Sequence, residues 1–212
     1  MNGKTVMACI EAAHATLKEH TDEITVLDQQ IGDGDHIFNL LRGFDALHGM
    51  RAEIEAAALA PALDLAASKL LSTVGGSSGP LLFSMLHGMA KASPDSADAL
   101  SLDDAARIFA AGVDAVAHRG KAGLGSKTMM DVLIPVASRF AELADSNAPS
   151  EAVLDTLPQV AEASMLATRD MLATKGRASF LGERSRGHID PGARSSQLMI
   201  GAICTRLAQD RA

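Results

Sequence analysis

This sequence predicts an all-α fold, eight antiparallel helices in an up-and-down barrel or bundle, and three observations predict it. Aromatic residues make up only 3% of the 212 residues, with six Phe and neither Trp nor Tyr, so half of the strand-forming set is missing. The apolar 47% is carried instead by Ala, Leu, Val, Ile and Met, of which Ala, Leu and Met are strong helix formers. Apolar positions recur at helical spacing along most of the chain, and strand-like alternation is hard to find. No linker divides residues 1–212, which are expected to form a single domain.

The first helix is expected at about 4–20, where Val6, Ile10, Ala13 and Leu17 share one face. The second is expected at 37–57 and the third at 61–72, with Pro61 at its start. The fourth is placed at 79–92 and the fifth at 101–118, where Ser101 caps and Asp104 completes an acidic variant of the capping box. The sixth is placed at 127–143, the seventh at 149–174 with Pro158 a candidate break, and the eighth at 191–209.

Charge and composition exclude several classes of function. A net charge of −7 and the lack of stacking aromatics argue against a nucleic-acid partner. No run approaches the ~18 apolar residues of a membrane span, and the N-terminal residues lack an apolar signal core. Cys9 and Cys204 have no metal-binding spacing and read as free thiols on the first and last helices. A cytoplasmic location is the expectation.

The glycines carry the functional signal. Twelve of the 18 fall in four clusters: Gly32 and Gly34; Gly75, Gly76 and Gly79; Gly120, Gly123 and Gly125; Gly176, Gly182, Gly187 and Gly192. These are the junctions after the first, third, fifth and seventh helices. Alternate junctions of an up-and-down bundle lie at one end, so the four loops should converge there. Helix termination accounts for one glycine per junction, not three or four.

Each loop brings polar chemistry. The first places Asp28, Asp33 and Asp35 within eight residues, a set of hard oxygens suited to Mg2+. The competing reading is a solvated acidic turn in which Asp33 or Asp35 caps the next helix. The second, Gly75 to Pro80, offers Ser77, Ser78 and free N–H groups at a helix start, where anions bind. The third, Gly120 to Thr128, nearly matches a P-loop, but Ser126 displaces the lysine by one and no strand precedes it. Lys127 and Thr128 remain candidates for a phosphate or polar ligand, and Asp131 for a helix-dipole partner. The fourth, 173–196, carries Lys175 and four arginines at 177, 184, 186 and 194. Together these loops equip one bundle end for phosphoryl transfer with a Mg-nucleotide or polyphosphate.

At these segments the sequence resembles the nucleotide-binding L subunit, or L domain, of dihydroxyacetone kinases. The carrying residues are Asp28, Asp33, Gly34, Asp35 and His36; Gly75, Gly76, Ser78, Gly79 and Pro80; Lys127, Thr128, Met129 and Asp131; and the run from Thr174 to Gly192, the most specific of the four. The resemblance covers nearly the whole chain. It implies an eight-helix antiparallel barrel with ADP or ATP at one end. Asp28, Asp33 and Asp35 match the acids that hold two Mg2+ ions. His36, Ile37, Phe38 and Asn39, with Ser77 and Ser78, match phosphate and nucleotide contacts. Gly120, Thr128 and Met129 lie where the family lines the nucleotide pocket. Arg177 matches an arginine near the transferred phosphoryl and is the candidate catalytic residue, and Asp190, Pro191 and Gly192 match a loop over the nucleotide. The family often has Asp where this chain has Ser126 and Ala where it has Ser77; neither change removes a metal ligand.

The resemblance also implies partners. The ketose belongs to a separate K subunit, so this chain is expected to be one half of an enzyme. In one branch of the family ADP is a fixed coenzyme rephosphorylated by a phosphotransferase-system M subunit; in the other, ATP exchanges freely. A homodimer is also compatible with the resemblance. Two rival readings are a non-catalytic ADP-binding regulatory subunit and a stand-alone helical lipid- or ligand-binding barrel. Retention of the three acids and Arg177 weighs against the first, and the charged loops against the second.

Overall fold

The computed structural model describes residues 1–94 and 100–210. The connection expected at 92–100 lies largely outside the described residues. Within them the chain is helical and contains no strand. Ten α-helices are described: α1 Gly3–Glu19, α2 Thr21–Ile31, α3 His36–His48, α4 Arg51–Ala56, α5 Leu59–Thr73, α6 Ser78–Ala92, α7 Leu102–Gly120, α8 Met130–Asp145, α9 Ser150–Ala167 and α10 Pro191–Gln209. Short 3-10 segments occupy Thr168–Asp170 and Arg177–Ser185.

The count differs from eight single helices for local reasons. Past α1, the Thr21 hydroxyl and the His20 ring bond back to carbonyls of its last turn, at 2.9 Å to Lys18 O and 2.9 Å to Thr16 O. The chain then restarts as α2, a helix absent from the sequence-based expectation. The predicted helix at 37–57 is broken at Gly49 and Met50 into α3 and α4. The expected break at Pro158 does not occur. Val153, Leu157, Ala161 and Met165 form one buried face of α9, and that burial carries the helix across the missing N–H. Pro61 is the third residue of α5, not the first. Ser101 caps α7 as expected, accepting a hydrogen bond from the Asp104 N–H at 3.0 Å.

From α5 onward each helix packs on the next in the chain, and α10 packs on both α9 and α1. Helix α3 lies between α1 and α5. Two large apolar cores and a small third cluster of Ile31, Ala173 and Ala178 result among the described residues. The first large core is built on Met7, Leu17, Ile24, Ile37 and Ile54, the second on Val116, Met130, Val132, Val136 and Ala161. Buried Met and Ala fill space that aromatics would otherwise occupy. Helices α6 and α7 approach especially closely: a Cβ at Gly112 would sit 2.9 Å from Met85 O.

Of the histidines on helices, His20, His48 and His87 have partners at the surface, whereas His14 is buried. Its Nδ1 lies 2.8 Å from His48 Nε2, its ring stacks on Phe44 at 5.7 Å, and its Nε2 is 3.3 Å from Asp45. Burial pushes the imidazole below its ordinary value of 6.5, with Asp45 opposing. The fold therefore favours the neutral ring. Its contribution to stability is whole above pH 6.5 and is lost as pH falls through the lowered value. Denaturant titrations between pH 7.5 and 5 should show His14→Gln losing less stability than the parent chain; equal losses would place the acid sensitivity elsewhere.

Candidate functional site

The four glycine-bearing loops meet. Arg177 in the fourth pairs with Asp33 in the first at 2.8 Å. His188 Nδ1 lies 3.0 Å from Gln30 Oε1. The Thr174 N–H donates to Ser126 O at 3.2 Å, joining the fourth loop to the third. A small cleft is lined by His36, Ser78, Met129 and Gly192, one residue from the start of each of α3, α6, α8 and α10.

Asp28, Asp33 and Asp35 each offer an oxygen within 4.8 Å of the others. Asp28 is not a loop residue, as expected, but sits buried in the last turn of α2. It also supplies the cap expected from Asp33 or Asp35: its Oδ2 accepts the His36 N–H at 3.0 Å. Asp35 occupies the N-cap position of α3 without a side-chain capping bond. Gly32 is needed beside this group, because a Cβ there would collide with the Asp28 carboxylate. Three convergent hard oxygens fit Mg2+, which completes its shell with water and phosphate. The neighbouring His36 ring has its proton affinity lowered by burial, opposed by the three acids. Its Nε2 lies 2.9 Å from Ser195 Oγ.

The other predicted contacts divide. Ser78, Met129 and Gly192 line the cleft with His36. The Ile37 side chain is fully buried in the first core, leaving only its backbone for a ligand. Asn39 is buried and engaged by Arg42. Phe38 and Ser77 are exposed, as is Gly120 at the end of α7. The Thr128 hydroxyl accepts the Met130 N–H at 3.2 Å. Asp190 caps α10, accepting the Ala193 N–H at 2.7 Å, with buried Pro191 following as the first helical residue. Burial pushes the Asp190 carboxyl up to about 7, against the pull of Lys127.

Lys127 does not face a ligand. It is fully buried with a positive φ of 56°. Its Nζ donates to Thr168 O at 2.7 Å, His188 O at 2.6 Å and Arg169 O at 3.3 Å. It thus staples the neck of the fourth loop, whose two ends those carbonyls mark. Asp131 plays the expected helix-start role, accepting the Gly125 N–H at 2.5 Å and the Thr128 N–H at 2.8 Å.

Sequence reasoning missed the rest of the cleft wall: Leu40, Leu82, Ser195, Ser196 and Met199. The signal was present, since Gly192, Ser195, Ser196 and Met199 follow helical spacing along one face. Among the described residues no helix is long and apolar enough to cross a membrane.

Comparison with known proteins identifies the family. The DAK2 domain family model matches residues 30–205. The ADP-binding subunit DhaL of PEP-dependent dihydroxyacetone kinase 1 from Listeria innocua is 39% identical over 187 residues, covering 88% of each chain. The corresponding ADP-binding subunit from Escherichia coli is 38% identical over 180 residues, covering 85% of each. The dihydroxyacetone kinase of C. freundii, solved with AMP-PNP and Mg2+, shares the fold with a TM-score of 0.72 at 22% identity. The match covers 94% of this chain and 33% of that one. With a family model spanning most of its length and the motif-bearing loops gathered at one end, this chain belongs to the DAK2-domain family and, within it, to the DhaL group.

Proposed function

We propose that the chain is the ADP/ATP-Mg-binding L subunit of a kinase for dihydroxyacetone or a related small ketose, acting as one DhaL-type unit over residues 1–212. The nucleotide's terminal phosphoryl passes to a ketose held on a separate K subunit. The observation that carries this reading is the convergence of three carboxylates, Arg177 and a four-loop cleft on one bundle end.

Asp28, Asp33 and Asp35 would hold Mg2+, with two ions as the family resemblance implies. Bound there, the metal neutralises charge on the nucleotide phosphates. The chain's own groups do the rest. N–H groups at the start of α6, where no side chain caps, would meet a phosphate's negative charge. Arg177, with its side chain 73% exposed, can reach a transferring phosphoryl and stabilise charge that develops in transfer. Phe180 is 87% exposed and Leu124 63%, and these apolar tips on two of the site loops suit a K-subunit contact. The PEP-dependence in both relatives' names favours the branch in which an M subunit rephosphorylates bound ADP.

A reconstituted assay tests this with a K subunit, dihydroxyacetone and either ATP or a PEP-fed phosphohistidine donor. Dihydroxyacetone phosphate should form with the donor protein and catalytic ADP. Formation with free ATP alone would select the exchangeable branch. ADP binding without transfer under either condition would make the chain a regulatory subunit.

A further inference from the structure

We propose that Arg42 is a positioning residue, which holds the second glycine loop and the Asn39 amide in place for a phosphate. The assignment rests on reading that loop as a phosphate site. Arg42 lies on α3, one turn past Asn39, and its guanidinium spans two segments of the chain. Nε donates to Thr73 O at 2.9 Å, and Nη2 donates to Asn39 Oδ1. Thr73 is the last residue of α5, two residues before Gly75. Helix α5 has no basic residue in its own last turn, so Arg42 supplies from α3 the cation that a carboxyl end favours.

The loop rests on this pair. A Cβ at Gly75 would lie 2.8 Å from Asn39 Oδ1 and 2.9 Å from Arg42 Nη2, so glycine is what lets the backbone come this close. The N–H groups of Gly75, Gly76 and Ser77 make no hydrogen bond among the described residues, and no side chain caps α6. The loop is held from behind while its donors stay open to an anion.

Arg42 also decides what Asn39 can do. A guanidinium only donates, so the amide must turn its oxygen toward it. The Asn39 Nδ2 group has no partner among the described residues and is left as a donor, the polarity that a phosphate oxygen requires. A bolt serving the fold alone could join α3 and α5 anywhere along their contact. This one joins them where both run into the site.

Arg42→Met on the full chain tests the assignment. Mg-ADP and Mg-tripolyphosphate should each bind about tenfold more weakly by calorimetry, the lower end of what is lost with a partner that orients a ligand group. The two losses should match, because both ligands meet the loop through phosphate. A role in folding alone would lower the Tm and leave the affinity of the folded chain unchanged. Gly75→Ala keeps the guanidinium and disturbs the same junction from the other side, so it decides the matter should Arg42→Met fail to fold. It should weaken both ligands, and in the Arg42→Met background it should cost less than it does alone, because the group it strikes is gone. Parental affinity in either folded variant would overturn the assignment, as would a loss confined to ADP or strict additivity of the two substitutions. If the parent chain binds tripolyphosphate but not ADP, the nucleotide reading falls and the tripolyphosphate loss alone decides for Arg42. A parent chain that binds neither removes both.

Discussion

Asparagine in place of Asp35 is expected to abolish Mg2+-dependent ADP binding while leaving helix content unchanged. Asp35 is exposed and makes no capping bond to α3, and Asp28 takes the His36 N–H. The substitution is isosteric, so the fold has little to lose. The metal site loses one of three anionic oxygens. Losing a group that merely orients a metal ligand typically costs about 10–100-fold in affinity, so removing a ligand should cost about a hundredfold or more. Titration with ADP in the presence and absence of Mg2+, beside far-ultraviolet circular dichroism, separates the two effects. Parental affinity in the Asp35→Asn chain would remove the acids as the metal site.

Lys127→Met should destabilise the protein by roughly 3 kcal/mol, the lower end for breaking a buried charged contact. Met replaces the aliphatic stem but donates nothing. Arg169 O keeps the Gly187 N–H at 2.8 Å and Thr168 O keeps the Met171 N–H at 3.3 Å. His188 O has no other partner among the described residues. The neck of the 171–187 excursion should therefore open first. Urea unfolding measures the stability, and limited proteolysis should cut within 171–187 faster than in the parent chain. A change below about 0.5 kcal/mol, the range of an ordinary surface substitution, would show that the staple is ornamental.

These two residues mark what the sequence reveals and what it hides. Asp35 was legible because three acids interrupted by glycine are a local pattern whose chemistry is independent of the rest of the fold. The gathering of the loops was legible too, from glycines placed at alternate junctions. Lys127 was not. Its position beside Thr128, after a glycine-rich loop, suggested an anion ligand, but its partners lie 41, 42 and 61 residues away. No local pattern distinguishes a lysine that binds phosphate from one that binds three carbonyls. Helix α2 was hidden because Asp22 and Glu23 in its first turn and Asp28, Gln29 and Gln30 in its last break the apolar pattern, with only Ile24, Asp28 and Ile31 buried. Asp28 thus read as loop, although its seat on a helix is what aims its carboxylate at the start of α3.

The pairing of Arg177 with Asp33 would make the proposed cation and the arginine rivals for one carboxylate. An exposed pair of this kind is held by no more than about 1 kcal/mol, so a divalent ion that takes the Asp33 oxygen displaces the guanidinium at little cost. Freed in this way, Arg177 would carry an uncompensated positive charge only once metal is seated. Occupancy of the acids and readiness of the arginine would then be linked reciprocally, and a phosphate placed against Arg177 would tighten the hold on metal by the same factor. With Mg2+ held there as proposed, the site would be interlocked: its cationic arm would be deployed by the ion that a phosphoryl transfer requires.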